Sequence, residues 1–582
     1  MCGIVCYKGE RDASEVILKG LKKLEYRGYD SAGIATVGNP SLKMAKDKGT
    51  IDEVVNEKTK LDGKTGIGHT RWATHGEVNQ TNAHPHTSSK PDEKDNGRVA
   101  VVHNGIINNY TELKKELGEH RFESETDTEV IPHLIEEELE KTDNLKQVAE
   151  NVIERIEGSY AVVAVLNTGE VMAFRKGSPL VVGVNSQELF LASDVTAFLE
   201  HTEEAIFLED GDYMIIEEEH TIFNSGQEIN REPKEIEWEA EEASKQGYEH
   251  FMQKEIEEQP KTVKRAAFQD RGDLEKAVEM LDNAENIYLT GCGTSSYAAS
   301  LGAKYLREAG YHVSVEQSHE LEYRSNEITE NDLVIAFSQS GETADLLSLL
   351  EEVDANLLSV INVVGSTLDR ESDHSLYINA GPEIGVASTK AFTGQITVLK
   401  LLKYASQGKT EEGRKSLLKT ADKIEETIEK NRETIKQTSE YMAEKEDVYF
   451  IGRHRGFEIA KESALKLKEL SYIHAEAFPG GEFKHGTLAL VEEGVPVVGF
   501  LKDEGREDML SNITEAKSRG ADIIGVGTEE IDGFEYFIEI PEDQNSEILE
   551  VVPFQLLAYR TSVLKGNQPD RPRNLAKSVT VK

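Results

Sequence analysis

Cysteine is almost absent from this chain: its 582 residues contain three, Cys2, Cys6 and Cys292. An odd, sparse set argues against a disulfide framework and fits a reducing compartment. None of the spacings matches a zinc site. Positive charge is scarce as well. Against 108 acidic residues there are 65 lysines and arginines, a formal net charge of −43 and a pI of about 4.8. Such a surface repels nucleic acid and anionic membrane. The acid is dispersed, with local clusters such as Glu136–Glu138 and Glu217–Glu219. It reads either as an ordinary solvated surface or as an adaptation to a salt-rich cytoplasm, where screening relieves self-repulsion. Long apolar runs are missing, since nothing approaches the roughly 20 residues of a membrane span. The start, Met1–Glu10, lacks the basic-then-apolar order of a secretory leader. The expected location is cytoplasmic.

The chain is too long for one core, and at about 100–200 residues per domain it holds about three or four. Apolar runs at Val99–Val102, Tyr160–Leu166 and Leu189–Ala192 predict strands, and Leu113–Leu117 and Val130–Leu139 predict helices. From about Gln227 to Pro260 the sequence turns acidic and polar, with Pro233, Gly247 and Pro260, which predicts an inter-domain linker. Beyond it the pattern becomes strand, glycine or serine turn, helix. The strands are Ile287–Thr290, Leu333–Phe337, Leu357–Val364, Val448–Ile451, Val495–Phe500 and Ile523–Val526. This alternation predicts doubly wound parallel sheets. The pattern also repeats. Ile287–Gly291 matches Val448–Gly452 at an offset of 161, and Val334–Phe337 matches Val497–Phe500 at an offset of 163. A repeat this long implies two like domains rather than a solenoid, joined by a helical connector from Lys409 to about Glu444. The copies differ after Val334–Phe337 and Val497–Phe500. One continues Ser338-Gln339-Ser340-Gly341-Glu342-Thr343, the other Leu501-Lys502-Asp503-Glu504-Gly505-Arg506. Only the first loop is rich in hydroxyls and suited to wrapping a phosphate.

Reactive chemistry is present at both ends. Removal of Met1 exposes Cys2 with a thiol and an α-amine on one residue, a nucleophile beside its own base. That amine's reference pKa of about 7.7–8.0 suits the task. An oxyanion needs donors aimed at it, and His103-Asn104-Gly105 offers the Asn104 amide and the Gly105 N–H. Arg71 and Asp127 are charge partners for the α-carboxylate and α-ammonium of a glutamine-like substrate. Each motif has a plain alternative: Cys2 as a small hydrophobe, His103-Asn104-Gly105 as a hairpin turn. His69, His75, His84, His86 and His103 lack the accompanying cysteine or carboxylate spacing of a metal site.

In the C-terminal half, Gly291-Cys292-Gly293-Thr294-Ser295-Ser296 and the Ser338–Thr343 loop combine glycines, hydroxyls and a following helix. Glycines let backbone approach closely, and a helix N-terminus favours an anion. One such loop would be ordinary capping; two at neighbouring strand ends predict a sugar-phosphate cradle. Lys466 and Glu469 share a helix face with Glu462, as an acid–base group or as a surface ion pair. Lys484-His485-Gly486 lies in a glycine-rich loop, and Lys577 in the sparsely charged tail is a candidate imine-forming amine.

Together these motifs resemble a known family. Met1-Cys2-Gly3-Ile4-Val5, Tyr26–Gly33, His69–Gly76, His103-Asn104-Gly105 and Ser124–Glu129 resemble the N-terminal-nucleophile glutamine amidotransferases. Glu383–Lys390, Leu467-Lys468-Glu469, Tyr472–Glu476 and the Pro572–Val581 tail resemble the paired sugar isomerase (SIS) domains that accompany them in the branch that aminates D-fructose 6-phosphate. The resemblance runs the whole length. It implies an α/β multidomain chain. An N-terminal-nucleophile αββα sandwich over 2–239 precedes a linker at 240–270. Doubly wound parallel-sheet SIS domains at 271–408 and 445–566 flank a helical connector at 409–444, and an active-site tail covers 567–582. It implies transfer of the amide nitrogen of L-glutamine to D-fructose 6-phosphate, giving D-glucosamine 6-phosphate and L-glutamate, with ammonia channelled internally. It implies no metal, no organic cofactor and a homodimer.

By position, the resemblance makes Cys2 the nucleophile and Asn104 and Gly105 the oxyanion hole. Arg71, Thr74, His75 and Asp127 hold glutamine, and Trp72 gates ammonia. Thr294, Ser295, Ser338, Gln339, Ser340 and Thr343 bind the sugar phosphate, while Val386 and Ser388 line the sugar site. Glu469 moves the proton between C1 and C2, assisted by Lys466. His485 opens the ring, reaching the neighbouring subunit's site. Lys577 lies at the carbonyl, with Arg573 and Ala576 fixing the tail. Some positions depart from the family pattern: Cys6 replaces a usual glycine, Thr487 a proline and Arg571 a glutamine, and the preceding Asn567-Gln568-Pro569-Asp570 is also atypical. The rival readings are an amidotransferase serving another sugar and a sugar-phosphate-binding regulator.

Overall fold

In a computed structural model the chain is described at all residues except 1, 39–40, 56–60, 73–75, 89–96, 119, 186, 237–243, 503 and 581–582. It divides into two units, Met1–Ala243 with Ser578–Lys582, and Ser244–Lys577.

The first unit is built on two antiparallel sheets. The eight-stranded sheet runs Lys234–Glu235, Glu204–Phe207, Val181–Val184, Leu189–Ala192, Gly3–Lys8, Thr65–Arg71, Ser31–Val37, Leu42–Lys48. The seven-stranded sheet runs Gln227–Ile229, His220–Asn224, Asp212–Ile216, Val171–Lys176, Gly158–Leu166, Val99–Ile107, His86–Thr87. Ile4, Cys6, Ile67 and Leu191 from one sheet meet Ala100, Val102, Ala161 and Val163 from the other. Alternate residues of the same strands, Val99, Val101 and Val162, turn the opposite way. They pack on the helices Val130–Leu139 and Leu145–Arg155. The strand Val99–Ile107 is thus apolar on both faces, which is why its start reads as an unbroken run. The helix Ala13–Leu24 covers the eight-stranded sheet so closely that a Cβ on Gly68 would lie 2.4 Å from Ile17. The layers are therefore αββα. Cys6 is fully buried between the sheets, and burial pushes its thiol up to about 12. It is a packing residue.

The second unit holds two five-stranded parallel sheets. One has the order Val313–Gln317, Ile287–Gly291, Leu333–Ser338, Asn356–Ile361, His374–Tyr377. The other has His474–Pro479, Asp447–Gly452, Pro496–Leu501, Asp522–Gly527, Tyr536–Glu539. Both are second-first-third-fourth-fifth in chain order, so the matched segments of the repeat occupy equivalent strands. One continuous core runs through Leu289 and Phe337 of the first copy, Phe450 and Phe500 of the second, Leu417 and Ile424 of the helix Thr410–Ala443, and Phe554 of the helix Ser546–Leu564.

Two expectations need correction. His103-Asn104-Gly105 is not a turn after a strand, because the strand continues to Ile107. The expected linker, whether drawn at Gln227–Pro260 or 240–270, carries strands at Gln227–Ile229 and Lys234–Glu235 and helices at Phe251–Glu257 and Gln259–Ala266. Those helices bury Met252, Ile256 and Val263 in the second unit's core. Their apolar stripe is narrow and set among charged residues, which hides it in sequence. No helix among the described residues is long and apolar enough to cross a membrane.

Candidate functional site

Two polar clusters gather most of the expected residues, one in each unit. In the first, Cys2 stands at the head of the strand Gly3–Lys8, and its sulfur accepts from the Trp72 N–H at 3.2 Å. Asn104 Nδ2 donates to the Cys2 carbonyl at 2.9 Å. The Asn104 side chain is itself held, since His69 Nε2 lies 3.1 Å from its Oδ1 and 3.1 Å from the His103 carbonyl. Gly105 has φ of +123°, and a Cβ there would sit 1.9 Å from the Ser159 carbonyl. Only glycine fits that position. The Asp127 carboxylate is buried and accepts from the Ile107 N–H at 2.8 Å. Burial lowers the Arg71 guanidinium, while Cys2, Asp30 and Asp127 act on it in the opposite sense. These groups therefore share one field. Burial also pushes the Cys2 thiol up, against the pull of the Trp72 N–H and Arg71. Trp72 packs edge-on against Tyr29 at 5.5 Å. Thr74 and His75 lie outside the described residues.

His69 was missed as a positioning group in the sequence, where it counted only as one imidazole among several. It is buried with His84, His86 and His103. His84 Nδ1 lies 3.1 Å from His69, His86 Nε2 is 3.1 Å from Thr126 Oγ1, and His103 Nδ1 is 2.9 Å from Thr128 Oγ1. Burial lowers all four, His69 to about 3. Burial thus favours their uncharged forms, with His69 at the centre of contacts to His84, Asn104 and the His103 carbonyl.

In the second unit, the strand Ile287–Gly291 passes through Gly293, at φ +54°, into the helix Thr294–Glu308. The neighbouring strand Leu333–Ser338 enters the other loop. Ser338 Oγ accepts from the Gly341 N–H at 2.9 Å and contacts Thr343 Oγ1 at 3.2 Å, and Ser340 Oγ accepts from the Glu342 N–H at 3.2 Å. Gln339 lies in the same loop. Ser295 Oγ accepts from Gln395 at 3.0 Å. Both loops leave the carboxyl ends of adjacent parallel strands, at the point where strand order reverses.

The helix Arg455–Ser471 brings Lys466 to Thr294. Its Nζ donates to Thr294 Oγ1 at 3.0 Å, pairs with Glu469, and lies 3.4 Å from Glu462. Burial pushes Glu462 up to about 8, with Lys466 opposing and Glu469 adding to the rise. Lys466 is raised in spite of burial by the two carboxylates. The pair is buried rather than on the surface.

Lys577 reaches a separate acid. Its Nζ donates to Glu383 Oε2 at 2.5 Å and to the Gly385 carbonyl at 2.8 Å. Glu383 is buried and also accepts from Ser388 Oγ at 2.7 Å and from the Thr389 and Ala391 N–H groups, each at 2.9 Å. Burial alone would raise it, yet Lys577 and these donors bring it to about 2. Glu255, which accepts from the Ile384 and Gly385 N–H groups, is pushed up to about 7 by burial and by Glu383. Glu383 and Glu255 had no signal in the sequence beyond the Glu383–Lys390 motif. Val386 is held by its N–H to the Asp570 carbonyl at 3.1 Å. The Asp570 carboxylate caps the helix Phe251–Glu257, accepting from Phe251 and Met252 at 2.9 and 2.8 Å. Arg573 stacks over Tyr472 at 4.1 Å, and Ala576 is half-buried just before Lys577. His485 is not brought into this cluster: it is exposed on the turn Glu482–His485. Thr487 starts the following turn.

Comparisons with known proteins agree with this geometry. The SIS domain model matches residues 280–404 and 441–565, and the glutamine amidotransferase domain model matches residues 79–200. The chain is 45% identical to the glutamine–fructose-6-phosphate aminotransferase [isomerizing] of Pyrococcus horikoshii, over 100% of both chains. It is 43% identical to the protein of that name from Methanothermobacter thermautotrophicus, again over 100% of both. Among solved structures, it resembles the C-terminal domain of glucosamine-fructose-6-phosphate aminotransferase from Francisella tularensis. The TM-score is 0.53 and the identity 36%, over 56% of this chain and 100% of that one.

Proposed function

The chain belongs to the isomerising glutamine–fructose-6-phosphate aminotransferases, and on that premise we propose that it moves the amide nitrogen of L-glutamine to D-fructose 6-phosphate. The products are L-glutamate and D-glucosamine 6-phosphate, the entry to amino-sugar synthesis. The observation that carries this reading is likeness over the full length, joined to a half-buried cysteine at one end and a carboxylate-held lysine at the other.

Glutamine is held by Arg71 at its α-carboxylate and Asp127 at its α-ammonium, with Thr74 and His75 completing the pocket. Burial keeps Cys2 a thiol at rest, so attack needs a base, and the α-amine freed by loss of Met1 is that base. The sulfur bonds to the amide carbon, and the oxyanion is received by Asn104 Nδ2 and the Gly105 N–H. Ammonia leaves with the proton from the thiol, and water then splits the thioester to glutamate. Trp72 gates passage of the ammonia.

The sugar phosphate sits on Thr294, Ser295, Ser338, Gln339, Ser340 and Thr343, with Val386 and Ser388 along the sugar. His485 opens the ring, one subunit serving the other in a homodimer; its exposure supports that role. Lys577 addresses the carbonyl as an imine-forming amine once its proton is lost, with Arg573 and Ala576 holding the tail. Glu469 carries the proton between C1 and C2. Lys466, beside it, stabilises the negative charge that appears there. The reaction belongs to the cytoplasm, where the three free cysteines stay reduced.

The test measures glutamate and hexosamine phosphate together on wild type, Cys2→Ala and Lys577→Arg. Wild type forms both products in equal amount. Cys2→Ala loses glutamine use but retains sugar-phosphate isomerisation, and Lys577→Arg loses hexosamine. Glutamine hydrolysis by wild type without hexosamine refutes the reading.

A further inference from the structure

Val313–Gln317, Ile287–Gly291 and Leu333–Ser338 lie side by side and parallel. Their carboxyl ends therefore open at one edge of the sheet. The segment leaving each strand carries one side chain able to ligate a metal: His319, Cys292 and Asp345. The sulfur, a ring nitrogen and a carboxylate oxygen all lie within 4.8 Å of one another. Cys292 and Asp345 are half-buried, and His319 stands at the open side with 45% of its side chain exposed. No ion pair among the described residues engages Asp345. A thiol, an imidazole and a carboxylate converge, and among the described residues no Lys or Arg is paired with the carboxylate.

We propose that Cys292, His319 and Asp345 bind a divalent transition metal of the zinc class through Sγ, a ring nitrogen and a carboxylate oxygen. The mixed sulfur, nitrogen and oxygen set favours such ions over magnesium and calcium, which take oxygen alone. Three protein ligands leave a fourth, tetrahedral position to water. Metal bonds of about 2.0–2.3 Å put tetrahedral ligand atoms roughly 3.3–3.6 Å apart, so the site closes by side-chain rotation of its exposed members. A metal takes the thiolate, so binding breaks S–H, forms S–metal and releases one proton to solvent. Cys292 precedes Thr294 by two positions and Asp345 follows Thr343 by two. Occupancy therefore ties together the two loops assigned to the sugar phosphate. This coupling rests on the proposed phosphate role of those loops; the binding itself does not.

The experiment uses the full chain, stripped by a chelator and titrated with Co2+ alone and Zn2+ alone. One equivalent binds, and Co2+ shows a thiolate-to-metal charge-transfer band with the visible bands of tetrahedral cobalt. Cys292→Ser, His319→Ala and Asp345→Asn each weaken binding at least about tenfold, and Cys2→Ala keeps the band. In wild type, Zn2+ protects the Cys292 peptide from alkylation, a readout that needs no variant to fold. A band that survives Cys292→Ser, a band lost in Cys2→Ala, or absence of protection overturns the site. The KM for sugar phosphate shifts with Zn2+ in wild type and not in His319→Ala; an unchanged wild-type KM with binding intact overturns the coupling alone.

Discussion

Gly105→Ala tests the oxyanion geometry by adding one methyl group. The new Cβ would stand 1.9 Å from the Ser159 carbonyl and 2.7 Å from its carbon. Neither partner can yield easily. Ser159 is on the strand Gly158–Leu166, which is paired on one side with Val99–Ile107 and on the other with Val171–Lys176. The alanine must also adopt φ near +123°, which costs about 1–3 kcal/mol, and overpacking adds about 1–3 kcal/mol. The chain relieves this by moving residues 104–105 away from Ser159. That displaces the Gly105 N–H and the Asn104 amide that holds the Cys2 carbonyl at 2.9 Å. Loss of one oxyanion donor costs about a hundred- to a thousandfold in kcat, or roughly 2.7–4 kcal/mol. Glutamine hydrolysis, followed as glutamate release at saturating glutamine, should therefore fall at least about a hundredfold. Sugar-phosphate isomerisation by the same preparation should stay within about twofold, because Thr294, Glu469 and Lys577 belong to the other unit. Glutamine hydrolysis within about threefold of wild type would refute the argument, because the strand would then have absorbed the methyl without disturbing any donor.

Three further outcomes are expected. Glu383→Gln removes the anion from a buried pair and leaves Lys577 with a neutral side chain and the Gly385 carbonyl; breaking such a pair costs about 3–5 kcal/mol. Hexosamine formation and the urea midpoint of the second unit should fall, while glutamine hydrolysis persists. Glu462, held near 8 against an ordinary value of 4.5, binds its proton more tightly folded than unfolded. Its stabilising contribution is complete below about 4.5 and is lost as pH rises through about 8. Glu462→Gln should then match wild type in urea at pH 5 and exceed it at pH 9; equal midpoints at both would refute the shift. With a net charge of −43, melting temperature and activity should both rise from low to molar KCl, and no gain in either would leave only the ordinary solvated surface.

Legibility in the sequence followed the burial of apolar side chains. Val99–Val102 and Val130–Leu139 were readable because each buries nearly every residue. The strand Thr65–Arg71 was not, although it is buried throughout. Its sequence Thr-Gly-Ile-Gly-His-Thr-Arg has little apolar content, since glycines make room for the helix above it and His69 and Arg71 serve the site. The two hydroxyl loops were legible because glycine, serine and threonine announce turns and anion contacts locally. The pairs that hold the reactive groups were not. Glu383 and Lys577 are 194 residues apart, and His69 and Asn104 are 35 apart. Such partners carry no local pattern. The Cys292, His319 and Asp345 cluster escaped for the same reason, because metal motifs read from sequence depend on short spacings and these residues lie on segments that follow three separate strands.

The two isomerase copies place different groups at equivalent points of one fold. Both sheets share a strand order, so both have the crevice at which anions are bound in such folds. In the first copy the loop after the third strand spends its polar groups locally, with Ser338, Ser340 and Thr343 bonded within the loop, and these hydroxyls can be redirected to a ligand at little cost. In the second copy the matching loop places Lys502, whose Nζ is 3.0 Å from Glu547 and 3.4 Å from Glu550. Glu547 is fully buried and also meets Lys400 at 2.8 Å and Arg455 at 3.2 Å. These cations hold its carboxylate well below the usual range despite burial. Lys400 comes from the first copy and Arg455 from the second, so the charge that could have received a phosphate is instead committed to joining them. A phosphate there would have to displace a buried carboxylate already neutralised by three cations, leaving that carboxylate uncompensated. On the proposed reading the second copy does not anchor the sugar, and what it gives to the candidate chemistry comes from elsewhere on it: Lys466 and Glu469 from the helix that follows its first strand, and His485 from the turn that follows its second.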